Sequence, residues 1–186
     1  MAIVEAPAAD GARPDARWPI PGRWASGRFT VAVACVAPAL ISLILGLWVL
    51  HLPHVLYGSH EYDDGVYMGA ALRFAQGLMP YRDFVIVHPP GIVVLMAPAA
   101  LLGRLFGSDT AMAVGRDITV LVGAANVVLA GAAVRHRGWR ASLVAATALA
   151  CFPLTPAATS TVLLEPYLIL FCLTGVSLLF RDGRLA

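Results

Sequence analysis

The residues able to do chemistry in this chain crowd into one stretch, His60 to Pro90, which reads HEYDDGVYMGAALRFAQGLMPYRDFVIVHPP between strongly apolar runs. Asp63 and Asp64 are its centre. Two adjacent acids at the start of a helix can take a proton from an acceptor hydroxyl, and partial burial or mutual repulsion raises one pKa towards neutrality. The competing reading is a solvated helix cap, in which an aspartate satisfies free amide donors at the helix start. Spacing alone leaves both open. His88, followed by Pro89 and Pro90, also has two readings: a rigid, extended lead into the next apolar run, or a histidine facing the acids to bind phosphate or metal. His60 and His88 with the aspartates form a loose ligand set without a tight metal spacing. No cofactor is assigned, and a divalent metal stays open.

Two further residues lie outside that stretch. Arg116 stands where an apolar run begins, either as a snorkelling interface anchor or as a partner for a lipid phosphate. Glu165, followed by Pro166, lies just inside the last apolar run. A charged side chain costs about 2.5–3.5 kcal/mol at the centre of a lipid-embedded helix, so Glu165 is expected to face a polar cavity or the membrane boundary. Tyr62, Tyr67 and Tyr81 read most simply as interfacial aromatics.

Composition says what kind of scaffold must position these groups. Hydrophobic residues make up 59% of the 186, charged residues 13%, and the mean hydropathy is +0.77. A soluble domain of this balance could not cover its core with polar surface, whereas a bilayer removes that need. The expected class is all-α: a polytopic helical membrane protein with about four transmembrane helices, five being the alternative, and interfacial helices in the first external loop. All 13 basic residues are arginine and are dispersed, which gives nucleic-acid binding little support. Cys35, Cys151 and Cys172 each lie in an apolar run, with neither a zinc spacing nor a disulfide framework.

In chain order, residues 1–28 read as a disordered cytoplasmic tail, rich in Ala, Pro, Gly, Asp and Arg. Phe29 to Leu50 is the first span, since roughly 20 residues cross the ~30 Å hydrocarbon core, and Pro38 is tolerated within it. After Asp64, the recurrence of Val66, Ala70, Phe74 and Leu78 suits a short amphipathic helix in the interface. Gly77 ends it, and Pro80, Pro89 and Pro90 forbid a long helix from Met79 to His88. Gly91 to Phe106 is apolar but short. Ile118 to Val134, Ala141 to Leu154 and Val162 to Phe180 are the remaining spans, and 181–186 is a second cytoplasmic tail.

Arginine placement decides how many of these runs cross. With four crossings, the N-terminal tail, the Arg135 to Arg140 turn and the C-terminus share the cytoplasmic side and hold nine of the 13 arginines. That satisfies the positive-inside rule better than five crossings do. It places Glu61, Asp63, Asp64, Asp83, Asp109, Asp117 and Glu165 together on the external side, in or beside a loop of about residues 51–115. The expected location is the plasma membrane.

The order of these motifs carries a resemblance. A first span, then YDDG, an amphipathic helix, PYRDF, HPPG and an arginine opening a later span resembles the GT-C superfamily of membrane glycosyltransferases, among them the protein O-mannosyltransferases and the lipid A aminoarabinose transferases. The resemblance covers about Phe29 to Phe180. It implies transfer of a sugar from a polyprenyl-phosphate donor to an acceptor on the external face, with inversion. It also implies that Asp63 is the base or acceptor-orienting residue of an Asp-Glu pair, here Asp-Asp through Asp64. His88 matches the His-Pro-Pro motif, Arg116, with Arg82 or His88, would hold the lipid phosphate, and Glu165 matches an acid near the outer end of a later span. Members usually have many more spans, so the resemblance implies an N-terminal portion, completed by further spans or by a partner chain. The rival expectation is a non-catalytic membrane subunit or an inactive fragment of such an enzyme.

Overall fold

The computed structural model describes residues 24–53, 55–57, 61–152 and 154–181. Among them every regular element is helical, apart from a single bridge between Pro80 and Phe84. The elements are α1 (Trp24–Leu50), α2 (Tyr62–Ala75), α3 (Gly91–Phe106), α4 (Ser108–Ala133), a single 3-10 turn (Arg135–Arg137), α5 (Trp139–Ala150), α6 (Leu154–Thr159) and α7 (Glu165–Arg181). The all-α class is as expected. The helix of α1 reaches back to Trp24, so residues 24–28 belong to it rather than to a tail. The rest of the expected N-terminal tail and residues 182–186 lie outside the described residues.

The centre of the fold is α4, against which α1, α3, α5 and α7 all pack. Small residues make this possible. A Cβ on Gly46 of α1 would stand 2.9 Å from Val120, and one on Gly131 of α4 would stand 2.9 Å from the Cys35 sulfur. Pairing 46 with 120 and 35 with 131 makes α1 and α4 antiparallel. Gly131 also faces the Ser142 carbonyl at 3.1 Å, so α1, α4 and α5 converge on one residue that has no side chain. The α3–α4 connection is Gly107 alone, at φ 99°, a left-handed conformation that costs glycine little. It folds α3 back along α4, where a Cβ on Gly103 would lie 2.6 Å from that of Ala111.

Two helices, Gly27–Leu50 and Ser108–Ala133, are long and apolar enough to cross a membrane; Gly91–Phe106 and Glu165–Leu179 are shorter apolar helices. The expected span Ala141 to Leu154 is not continuous. The helix α5 stops at Ala150 and is 12 residues long, about 18 Å at 1.5 Å per residue. A residue preceding proline is pushed out of the helical region, and Phe152, before Pro153, is non-helical. The chain resumes in the short α6.

Large apolar side chains are exposed, and a few polar ones are buried. Phe29, Val33, Leu40, Ile41, Ile44 and Trp48 on α1 are exposed, as are Leu168, Phe171 and Leu178 on α7. Buried within are Asp64, Arg116, Thr119, Asn126 and Ser142. The principal core cluster joins α2, α3, the start of α4, the approach to α7 and the first turn of α7 through Tyr67, Met68, Ile92, Met96, Ala111, Val162 and Tyr167.

Candidate functional site

The helix α2 sets the site. Its N-cap is Glu61, in extended conformation and without a side-chain cap bond, and both aspartates fall in the first turn. Consecutive helical residues point about 100° apart, so a helix lying on a surface cannot treat Asp63 and Asp64 alike. Its buried residues are Asp64, Tyr67, Met68, Ala70 and Ala71. Only Ala70 of the face expected from Val66, Ala70, Phe74 and Leu78 is among them, and Leu78 is 40% exposed. The helix ends as expected: Gly77, at φ 90°, donates to the Phe74 carbonyl at 2.9 Å, and Leu78 donates to Arg73 at 3.1 Å. This is the pairing by which a left-handed glycine closes a helix.

Asp64 is fully buried and is no solvated cap. One carboxylate oxygen pairs with the guanidinium of Arg116, itself fully buried on α4, and the other accepts the Val162 amide at 2.8 Å. Arg116 also donates to the carbonyls of Val55, at 3.1 Å, and Leu56, at 2.7 Å. Four segments are thereby tied at one point: the chain leaving α1, the start of α2, α4 and the approach to α7. In this arrangement both Arg116 and Asp64 face inward.

Asp63 is only half-buried and has no hydrogen bond or ion pair among the described residues. It lies close enough to Tyr67 to act on its ionisation. Burial, then the charge of Asp63, then that of Glu165 push the Tyr67 phenol above its ordinary value. The Tyr67 ring meets His88 edge-on, with centroids 5.2 Å apart and planes at 75°. His88 Nδ1 is buried and has no hydrogen-bond partner among the described residues. Tyr81 helps fix His88: it holds a positive φ of 65°, and its hydroxyl donates to the His88 carbonyl at 2.7 Å.

The expected residues thus separate into three groups. Asp64 and Arg116 form an internal lock. Asp63, His88 and Glu165 gather around Tyr67, at the start of α2 and of α7. Arg82 is exposed and grips its neighbour Asp83, with nitrogen–oxygen distances of 2.7–3.2 Å; it makes no contact with the others. The hydrogen bond from Arg82, then one from the Met79 amide, hold the Asp83 carboxyl below its usual range. His60 lies outside the described residues. Within them no three His, Cys, Asp or Glu side chains converge to hold a metal ion.

Three polar positions carry more than the sequence assigns them, Thr119 and Asn126 having no expected role there. Tyr67, an interfacial aromatic by its sequence, is buried and is the hub of the group with Asp63, His88 and Glu165. Thr119 meets the Tyr167 hydroxyl at 2.8 Å inside the core, and Asn126 Nδ2 donates to the Pro166 carbonyl at 2.8 Å. These two contacts fasten α7 to α4 beside Glu165. An asparagine within the otherwise apolar run Ile118 to Val134 was the available signal, because polar groups in such helices seek partners on neighbouring helices. Among the described residues the fold and site define an all-helical protein with exposed apolar faces on α1 and α7, an ionic lock inside, and an acidic, aromatic group where two helices begin. Comparison with family models, with curated proteins and with solved structures gives no match.

Proposed function

We propose that this chain is a multi-pass membrane protein of glycosyltransferase type, transferring a sugar from a polyprenyl-phosphate donor to an acceptor at the external face of the plasma membrane. The membrane reading rests on the exposed apolar side chains of α1 and α7 and on the antiparallel pair of long apolar helices, with the N-terminus cytoplasmic and four crossings. The α5 break is accommodated if α5, the turn after it and α6 cross together, since irregular backbone is tolerated at depth where protein buries it.

The observation that carries the reaction is the division of labour between adjacent acids: Asp64 is locked to Arg116, while Asp63 keeps a carboxylate without a partner among the described residues, in the group around Tyr67 with His88 and Glu165. In the proposed step the acceptor oxygen attacks the anomeric carbon from the face opposite the phosphate. The bond from that carbon to the phosphate oxygen breaks, and the leaving polyprenyl phosphate keeps the electron pair. The acceptor proton passes to Asp63. Arg82 and His88 would meet the phosphate, and Arg116 positions Asp64 and α2 rather than touching substrate. The lipid donor is one partner, and a second chain that supplies further helices is part of this reading.

One observation favours the rival reading, a non-catalytic membrane subunit of such an enzyme: both candidate phosphate-binding arginines already hold internal carboxylates. Sugar transfer from a polyprenyl-phosphate donor, measured in membranes carrying the chain, decides between them. Asp63→Asn should abolish transfer while leaving the protein folded. Equal transfer by wild type and Asp63→Asn, in the presence of its membrane partners, removes Asp63 from the mechanism and favours the subunit; no transfer by either favours an inactive fragment.

A further inference from the structure

The helix α3 is apolar on two opposite sides. Ile92, Met96, Ala99 and Gly103 are buried, whereas Val94, Leu101 and Leu105, which share one face at helical spacing, are exposed. A helix that is hydrophobic all round belongs in an apolar surrounding. The loop leading into α3 has the same character. Val85 and Val87 are 91% and 90% exposed on either side of the buried Ile86, and no Asp, Glu, Lys or Arg occurs from Phe84 to Gly103.

Contacts with α4 fix the depth of α3. A Cβ on Gly103 would meet Ala111, and one on Gly115 would lie 3.5 Å from the Met96 sulfur, so α3 runs antiparallel to α4. The Met96 sulfur also stands 4.0 Å from the Tyr167 hydroxyl, which meets Thr119 at 2.8 Å. The next residue, Val120, faces Gly46 of α1. Gly46 lies one turn before the end of α1 at Leu50, about 6 Å at ~1.5 Å per residue. The first half of α3 is therefore level with the last turn of α1 rather than beyond it. With 16 residues, α3 is about 24 Å long, short of the ~30 Å hydrocarbon core. Its end turns back into α4 through Gly107, and His88 before its start is held against Tyr67.

We infer that the segment from Val85 to Leu105 is re-entrant: it dips into the external leaflet and returns, with lipid acyl chains as the partner of Val85, Val87, Val94 and Leu101. This rests on the membrane reading and its four crossings, and deepens it. Acyl chains that cover Ile44 and Trp48, exposed on α1 at the same depth, continue onto α3. Water is disfavoured by a long run without a charged residue. The group around Tyr67 stands where the re-entrant segment begins, so a lipid-linked substrate reaches it sideways from the leaflet.

The test uses the full chain in phosphatidylcholine nanodiscs, in a background of Cys35→Ala, Cys151→Ser and Cys172→Ser. Nitroxide labels are attached one at a time at Val87→Cys, Val94→Cys and Leu105→Cys. Leu40→Cys on α1 is the lipid reference and Arg137→Cys the aqueous one; all five positions are exposed, and helical circular dichroism checks each fold. Collisions with oxygen, which concentrates in hydrocarbon, are compared with collisions with a water-soluble nickel chelate. The oxygen-to-nickel ratio at Val87 and Val94 should be several-fold above that at Arg137 and approach that at Leu40. It should fall from Val94 to Leu105 as α3 rises towards Gly107. A lipid-like Leu40 with nickel-accessible Val87 and Val94 places the segment in water, overturning the inference while sparing the membrane reading. Labels at Val87 and Val94 closed to both reagents mean that another protein surface covers α3, which overturns it equally. A nickel-accessible Leu40 removes the membrane reading, and this inference with it.

Discussion

Asp64→Asn is the sharpest perturbation the structure offers, because it removes a charge and almost nothing else. The amide keeps the size of the carboxylate, and its oxygen can still accept the Val162 amide, now held at 2.8 Å. What it cannot do is neutralise Arg116, which is fully buried. Breaking a buried pair on one side costs about 3–5 kcal/mol, or roughly two to four powers of ten in the folding equilibrium at about 1.4 kcal/mol per decade. Asp64→Leu should cost about 1–3 kcal/mol more, because the Val162 amide is then orphaned as well. Against a typical stability of about 5–15 kcal/mol, either change should be visible as lost yield and a lower midpoint. The assay is unfolding in lipid nanodiscs followed by helical circular dichroism, with a cycle through Arg116→Met and the double variant Asp64→Leu/Arg116→Met. The double variant should be more stable than the sum of the single losses implies, since it buries no lone charge. It should not reach wild type, because the Val55 and Leu56 carbonyls lose their donor. A change of less than about 1 kcal/mol for Asp64→Asn, set against that expected range for one-sided loss, would refute the lock.

Asp63→Asn should behave in the opposite way: near-normal stability, and a Tyr67 phenol that ionises more easily, because the second cause of its upward shift is gone. Ultraviolet titration of the phenolate, with Tyr67→Phe to assign it, measures this. A raised folded value also means that the stability Tyr67 contributes is present below its unfolded value of 10.0 and is lost as pH climbs through the folded one. For Asp83 the sign is reversed. Its carboxyl is held below the ordinary 3.8, so the turn it closes keeps that support at neutral pH and loses it in acid as pH falls through the lowered value. Exchange of the Met79 amide, which donates to Asp83 at 2.8 Å, should accelerate only in that acid range. Gly103→Val should push α3 from α4, at an overpacking cost of about 1–3 kcal/mol, because the nearest atoms to its Cβ belong to Ala111 at 2.6 Å and Leu72 at 3.2 Å. A reporter fused at His136 should give a cytoplasmic signal; an external one sinks the four-crossing topology.

How far the chain discloses itself in advance depends on the range of the force involved. Local signals read well. The apolar runs of α1, α4 and α7 are helices, Gly77 closes α2, and the prolines from Pro80 to Pro90 keep the following loop out of helix. The failures are of longer reach. Val66, Ala70, Phe74 and Leu78 have helical spacing, yet the buried face turns towards Asp64, Tyr67, Met68 and Ala71. Hydrophobic periodicity gives Asp64 no reason to lie inside. The reason stands 52 residues away in Arg116, and nothing local to either residue names the other. Once that pair forms, helical geometry does the rest: Asp64 turned inward leaves Asp63 turned aside, towards Tyr67 and Glu165. The asymmetry between two identical neighbours, on which any chemistry here depends, is therefore a product of tertiary pairing. The same pairing makes one substitution diagnostic of each: charge removal at Asp64 should be read in stability, and charge removal at Asp63 in reactivity. A protein in which both changes acted alike would not contain the site described.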